Sequence, residues 1–151
     1  MTISTGLSTA KTDDSDVVIT ANTAVTVAQF NLLDAATSSA IVLSGGISDT
    51  AANLAPSGTA SSGLTTATNQ DGDVAITITG TAPTVAELNK IASLTTGAVT
   101  ASISGNKTTL AGLDTASGDA ITATVTDAVT VAEFNTLDGK TSVGVILSGG
   151  V

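Results

Sequence analysis

Apolar and β-branched residues alternate with small polar residues in short stretches along the chain, separated by Gly, Ser, Thr and Asp. Three of these stretches, residues 17–20, 74–79 and 121–126, have the alternation and the Val, Ile and Thr content that are typical of β-strands. Each follows an aspartate. The pattern therefore predicts strands that begin after acidic turns.

A second pattern follows each of these predicted strands. A Thr is followed three positions later by Gln or Glu, which is the capping-box arrangement that satisfies backbone N–H groups at the start of a helix. The matching segments are 26–31, 84–89 and 130–135, with the pairs Thr26 and Gln29, Thr84 and Glu87, and Thr130 and Glu133. We expect three short helices, anchored in the core by Phe30, Leu88 and Phe134.

Further strands are predicted after the helices, at 40–44, 98–104 and 143–148. The matching apolar residues recur every 22 to 24 positions, from Ile19 to Ile41, Ile76 to Val99, Val99 to Ile121, and Ile121 to Val145. A strand, a crossover of about a dozen residues and another strand form the connection that parallel pairing requires. The predicted fold is therefore mainly β, a parallel β-solenoid with coils of about 23 residues and short helical crossovers.

This periodicity predicts a single repeat domain over residues 1–151. Its coils lie at about 17–40, 41–73, 74–97, 98–119 and 120–142, with incomplete coils at 1–16 and 143–151. One coil type carries a capped helix, and the other carries a looser segment such as 48–54 or 107–113. The spacing from Ile41 to Ile76 is longer, because the Gly-, Ser- and Thr-rich residues 56–70 are inserted there as an expected surface loop.

The two ends of the chain resemble complementary parts of one coil. Residues 145–151 match 41–47, and residues 2–16 compare loosely with 102–119. We expect head-to-tail association, in which the C-terminal strand of one subunit completes the first coil of the next and an open filament results. A boundary between repeats of a longer protein would leave the same ends. The junction residues are Ile3, Leu7, Val145, Ile146, Leu147 and Val151.

Composition narrows the function classes. The chain has no Trp, Tyr, His or Cys, and its only aromatic residues are Phe30 and Phe134. Without His or Cys the usual catalytic bases and nucleophiles are missing, so we expect no enzyme. A net charge of -9 argues against partners such as nucleic acid or an anionic bilayer. No apolar run approaches the roughly 18 residues of a membrane helix, so membrane insertion is not expected.

Two clusters of acidic residues are candidate calcium sites, because they place oxygen ligands on turns before strands. They comprise Asp13, Asp14 and Asp16, and Asp71 and Asp73. Neither matches an EF-hand loop or a Gly-Gly-x-Gly-x-Asp repeat. The turn-forming preference of Asp and Gly explains both clusters without a metal and is favoured. No cofactor is expected, with calcium kept as the alternative.

Threonines on the predicted strands raise a further alternative, adsorption to ice or to another crystalline surface. Thr77 and Thr79 lie on one strand face, as do Thr122, Thr124 and Thr126. Strands favour Thr for its β-branched shape alone, and that explanation is preferred. A glycan site is less expected still, because no aromatic platform is available.

The chain resembles the tandem repeats of very large, acidic, aromatic-poor bacterial surface proteins and adhesins, which are often exported by type I secretion. The resemblance is carried by residues 130–138, the Gly/Thr/Ser-rich strand after them, and residues 48–54. It implies an extracellular or cell-surface location, a structural, filamentous or adhesive role, and no catalytic residues. The expected function is a structural subunit of an extracellular filament or surface layer, with a repeat section of a giant adhesin as the alternative.

Overall fold

The computed structural model describes residues 15–150. Five strands form one sheet in which each neighbouring pair is parallel and the spatial order follows the chain. Two parallel bridges, Thr20 to Val42 and Val25 to Ile47, place the segment before the first strand along its edge. The strands are β1 Ile47–Thr50, β2 Ile76–Thr79, β3 Val99–Gly105, β4 Ala120–Val125 and β5 Ile146–Leu147.

We call the successive parallel segments rungs and number them in chain order. They are 17–25, 41–50, 74–79, 98–105, 119–126 and 143–150. In the central strands the residues alternate between a buried and a more exposed face, as Ile76 and Thr77 do. One face of the sheet is therefore apolar and packed, and the other carries Thr and Ser side chains.

Helices occupy the connections between the rungs. Their buried side chains join the apolar strand residues in one core cluster, so the fold consists of a sheet covered on one face by helices. The helices are α1 Val27–Asp34, α2 Ala51–Leu54, α3 Ser62–Gln70, α4 Val85–Ala92, α5 Lys107–Leu110 and α6 Val131–Asp138, with a 3-10 turn at Pro56–Gly58.

The predicted mainly β solenoid is wrong. Over residues 15–150 the structure is an α/β fold with 32% helix and 19% strand, in which five parallel strands are accompanied by six α-helices. The segments expected to be loose are helical because each begins with a side-chain cap. Thr50 Oγ1 accepts from the Asn53 N–H, and Asn106 Oδ1 accepts from the Thr109 N–H.

The prediction of a surface loop at 56–70 is also wrong, since most of this segment is helix α3. Ser61 Oγ caps the helix by accepting the Leu64 N–H at 3.2 Å, and Leu64 and Ala67 are fully buried. Gly63 allows close packing on α1, because an added Cβ would lie 2.5 Å from Val27 Cγ1. The inserted residues therefore thicken the helical layer.

The register of the parallel ladder differs from the predicted steps after β3. Ile76 lies opposite Val99 as expected, but Ile121 lies opposite Ala101 rather than Val99. In β5, Ile146 lies opposite Thr124. A shift of two residues keeps the same side chains on the apolar face, so hydrophobic alternation alone cannot fix it.

The three capping boxes are confirmed. In each, the Thr hydroxyl accepts the backbone N–H three residues later, and the Gln or Glu side chain accepts the Thr N–H. Phe30 and Leu88 are fully buried, as expected of core anchors. Phe134 is only half-buried, and its prediction as an equal anchor is therefore not met.

Side-chain oxygens in or just before a later rung accept backbone N–H groups in or just after the rung that precedes it. Asp119 Oδ1 accepts the buried Val99 N–H at 2.8 Å, and Asp49 Oδ2 accepts the Val27 N–H at 3.0 Å. Thr141 Oγ1 accepts the Ile121 N–H at 2.9 Å. Both carboxylates are themselves buried. Each rung therefore depends for its hydrogen bonds on the next part of the chain.

Replacing Asp119 by Ala should lower the free energy of unfolding by about 1–3 kcal/mol for the buried Val99 N–H alone, because that donor loses its acceptor. Urea denaturation measures the change. The exposed Asp138 is the matched control, and Asp138→Ala should change stability by less than about 0.5 kcal/mol. If both substitutions lowered the free energy of unfolding equally, the bond between Asp119 and the Val99 N–H would not contribute measurably to stability.

Candidate functional site

The sixth rung repeats the second rung in sequence and in conformation. Gly46 and Gly150 both adopt positive φ, 77° and 84°. Gly46 O accepts the Val25 N–H at 3.1 Å, and Gly150 O accepts the Val129 N–H at 3.3 Å. The sixth rung is therefore bound to the rung before it in the same way as the second.

The two rungs differ on the side that would face the next rung along the chain. At Gly46 an added Cβ would lie 2.6 Å from Ala75 O of the third rung, whereas at Gly150 nothing lies within 4 Å. Gly46 is buried and Gly150 is exposed. Within the described residues, the surface that the third rung covers on the second is open on the sixth.

Core positions at the sixth rung are correspondingly less buried. Ile41 and Leu43 are 1% and 3% exposed, while Val145 and Leu147, at the matching positions, are half-buried. Ile146 is 50% exposed, much as its counterpart Val42 is at 44%, so the difference in burial lies at Val145 and Leu147. The apolar surface of this rung is therefore partly accessible to solvent.

The backbone of the sixth rung also presents an unused donor. Ser148 N–H donates to Val125 O, so the alternation of a parallel ladder turns the Leu147 N–H to the opposite, open side. At the second rung the matching Leu43 N–H donates to Asp71 Oδ2 at 2.7 Å. No residue among 15–150 accepts from Leu147 in this way.

The predicted junction residues therefore divide into two groups. Val145, Ile146 and Leu147 line the open edge of the sixth rung. Ile3, Leu7 and Val151 lie outside the described residues. Sequence reasoning did not identify Gly150, although its match to Gly46 in the Ser-Gly-Gly segments was visible.

Helix α6 lies next to this edge and is also incompletely covered. Val131 is 66% exposed and Phe134 is half-buried, whereas Val27 and Phe30 of α1 are buried.

A cleft between α5 and α6 is lined by Lys107, Thr108, Ala111, Glu133, Thr136 and Leu137. Lys107 Nζ and Glu133 Oε1 pair across it at 3.2 Å. The charged groups of the cleft therefore satisfy each other.

Glu87 and Glu133 act as cap partners in the structure. The Thr84 N–H, and next its hydroxyl, donate to the Glu87 carboxylate and lower its pKa below the ordinary 4.5. The Thr130 N–H and hydroxyl, followed by the Lys107 ammonium, lower the pKa of Glu133 in the same way. Both glutamates therefore remain charged to lower pH in the folded chain than in the unfolded chain.

The calcium candidates do not come together into a metal site in the described part of the chain. Asp71 accepts the Leu43 N–H. Asp73 is exposed, and Asp16 is exposed next to the start of the first rung. Across residues 15–150 no group of three acidic side chains could hold a metal ion. Asp13 and Asp14 lie outside the described residues.

The predicted threonine rows lie on the outer face of the sheet. Thr77 lies opposite Ser48 on one side and Thr100 on the other, and Thr122 lies opposite Ser102. Thr77, Thr79 and Thr126 are exposed, whereas Thr122 and Thr124 are half-buried. Hydroxyl side chains thus form short rows that cross several strands.

Comparison with family models, curated proteins and solved structures yields no match to this chain. No helix among the described residues is long and apolar enough to cross a membrane. The fold and the open edge therefore define the protein only as an α/β protein with a parallel sheet of sequential strands. Its function is argued from that geometry.

Acidification should weaken the caps of α4 and α6. Because folding lowers the pKa of Glu87 and Glu133, their contribution to stability is complete above about pH 4.5 and is lost as pH falls through their folded pKa. The double variant Glu87→Gln and Glu133→Gln keeps an oxygen acceptor, as Gln29 does in α1, but does not titrate there. Thermal melts at several pH values should show a smaller acid-induced loss of stability for this variant.

The reverse substitution, Gln29→Glu, is the control and should increase the acid-induced loss. Identical pH profiles for the wild-type chain and both variants would contradict this assignment of the glutamates.

Proposed function

We propose that the chain is a structural subunit of an extracellular filament or cell-surface layer, and that it assembles head to tail by adding one subunit's rungs to the open sheet edge of another. The proposal depends on one observation. The sixth rung has the sequence and conformation of the second, but the side that the third rung covers at Gly46 is uncovered at Gly150. In this geometry the covering partner is another parallel rung. The chain itself supplies such rungs.

The sequence of the open edge supports the proposal. Exposed edge strands of soluble proteins are usually protected by Lys, Pro or inward-pointing charges. Residues 143–150 contain no charged residue and no proline. An unprotected parallel edge of this kind favours pairing with a further strand.

The composition of the chain and its resemblance to surface-protein repeats support the same role. The acidic, aromatic-poor sequence resembles repeats of bacterial surface proteins, and its net charge of -9 favours solubility outside the assembled state. No catalytic role is proposed, since Glu87 and Glu133 are committed to helix caps. The alternative is a repeat section of a giant adhesin, in which the following rung would belong to the same polypeptide.

Light scattering and electron microscopy of the purified chain test the proposal. The wild-type chain should form particles that grow in length with concentration. Leu147→Pro should abolish growth, because it removes the donor that faces the open edge while leaving the Ser148 bond to Val125 intact. Circular dichroism should show that this variant remains folded.

Val42→Ser is the matched control. Val42 is an apolar residue, 44% exposed, on a rung that the third rung already covers. Assembly of this variant should equal that of the wild type. A wild-type chain that stays monomeric at high concentration would overturn the proposal and favour the adhesin alternative.

A second candidate function is adsorption to ice, and the outer face of the sheet favours it. Parallel strands place hydroxyls about 4.8 Å apart across strands and about 6.6 Å apart along a strand. Thr77 and Thr100 are exposed on this face, and Thr122 is half-buried. The hydroxyl rows are therefore accessible to ordered water.

Thermal hysteresis of the freezing point measures this second activity. Thr77→Lys should reduce it several-fold, because a long charged side chain interrupts the row between Ser48 and Thr100. Thr108→Lys, at an exposed position on the helical layer, should leave it unchanged. A wild-type chain without thermal hysteresis would remove this candidate.

A further inference from the structure

The order of contacts along the chain determines how the protein responds to tension. A coil is here one rung together with the connection that follows it. We propose that the chain is an extensible element, which lengthens under load in steps of one coil and shortens again when the load falls. This inference rests on the structural role proposed above but not on polymerisation, and it applies equally to a filament subunit and to a repeat of a longer adhesin.

Hydrogen bonds between coils join neighbouring coils. Among residues 15–150 the side-chain bonds between coils span 20 to 36 positions, from Asp119 with Val99 to Gln70 with Asp34. The helical layer follows the same rule, since α3 packs on α1 and α4 packs on the turn Pro56–Gly58 of the coil before it. Opening the contact between two coils therefore leaves the contacts between the other coils in place.

Tension along the stack of rungs acts across the strands. The hydrogen bonds of a sheet run in this direction, between strands that lie about 4.8 Å apart. Because the spatial order of the strands follows the chain, each contact between two rungs carries the whole load, and the contacts are loaded in series. The weakest contact therefore opens first, and the others open separately at higher load.

Opening one contact releases the residues that lie between two paired positions. Ile47 and its partner Ile76 are 29 positions apart, and Thr100 and its partner Ala120 are 20 positions apart. At about 3.4 Å for each extended residue, one opened contact adds roughly 70–100 Å to the length of the chain. The folded spacing between the two rungs is only about 4.8 Å, so each step gives a large extension.

The contacts between rungs differ in strength. Strands β3 and β4 pair along residues 100–105 and 120–125, and Asp119 adds its bond to the buried Val99 N–H. Each of these two strands is paired with its other neighbour, β2 or β5, over two residues. The fourth and fifth rungs should therefore separate last.

A released coil keeps the local signals for its own refolding. The capping boxes start α4 and α6 through bonds between residues three positions apart, as between Thr84 and Glu87. Re-forming a rung on a neighbour that is still folded needs contacts of short sequence separation, which form quickly. The chain should therefore recover its length without passing through the fully unfolded state.

Stretching single chains with optical tweezers tests the inference, with handles attached to engineered cysteines because the natural chain has none. The variant Val18→Cys and Ile146→Cys replaces two exposed residues on the first and sixth rungs, so the load crosses every contact between them. Extension should occur in several steps of roughly 70–100 Å and reverse when the force is lowered. A single event of roughly 440 Å, or steps that do not reverse, would overturn the inference.

A second pair of handles is the matched control for the direction of load. Ala98→Cys and Thr126→Cys lie at exposed positions next to the start of the β3 pairing and the end of the β4 pairing. Tension between them slides the two parallel strands past each other and loads the bonds of their ladder together. Rupture should need a force several-fold higher than the steps of the first variant, and equal forces would contradict loading in series.

Both measurements use single chains, so they do not depend on assembly. Circular dichroism should show that the two variants are folded before handles are attached. A chain that opens in one event would leave the proposed head-to-tail assembly standing. A chain that opens in coil-sized steps but never assembles would overturn the proposed filament and retain the extensible element.

Discussion

Parallel pairing leaves every strand edge with backbone donors and acceptors that only a further strand or a suitable side chain can satisfy. This chain meets the constraint in one direction, because each rung is completed by the next rung along the chain. Where strands are too short to pair throughout, oxygens such as those of Asp71 and Asp119 accept the remaining N–H groups. The described structure is therefore a series of nearest-neighbour contacts, and its end rungs are its least buried parts.

The same constraint explains the use of acidic residues in a chain with few charges. A net charge of -9 suggests cation attraction, yet Asp49 and Asp119 are buried and accept backbone N–H groups of helix α1 and of the fourth rung, respectively. Carboxylates can accept several such bonds, and each bond to a charged group is stronger than one between neutral groups. These buried carboxylates therefore stabilise the fold. Their negative charge is not by itself evidence that they bind a metal ion.

Sequence reasoning succeeded where one local interaction decides the structure. The capping boxes at Thr26, Thr84 and Thr130 are visible as residue pairs and form as predicted. It failed at helix α3, because Ser, Thr and Gly suggest a loop until the burial of Leu64 is known. The register of β3 with β4 was missed for a related reason, since alternation fixes the face of a strand but not its offset. The open edge could be expected from the repeat, whereas the close approach of the third rung at Gly46 required coordinates.

Both end rungs lack the features by which soluble proteins usually prevent strand addition. Residues 17–25 and 143–150 carry neither charge nor proline, although lysine occurs elsewhere in the chain. Any partner that covers the sixth rung must supply parallel backbone, small side chains near Gly150 and an acceptor for Leu147. An ordinary globular surface does not combine these properties, because its strand edges are already paired or protected. A rung of the same repeat does combine them, whether it belongs to another copy or to a further repeat of the same polypeptide, because the interior rungs are completed by the same geometry.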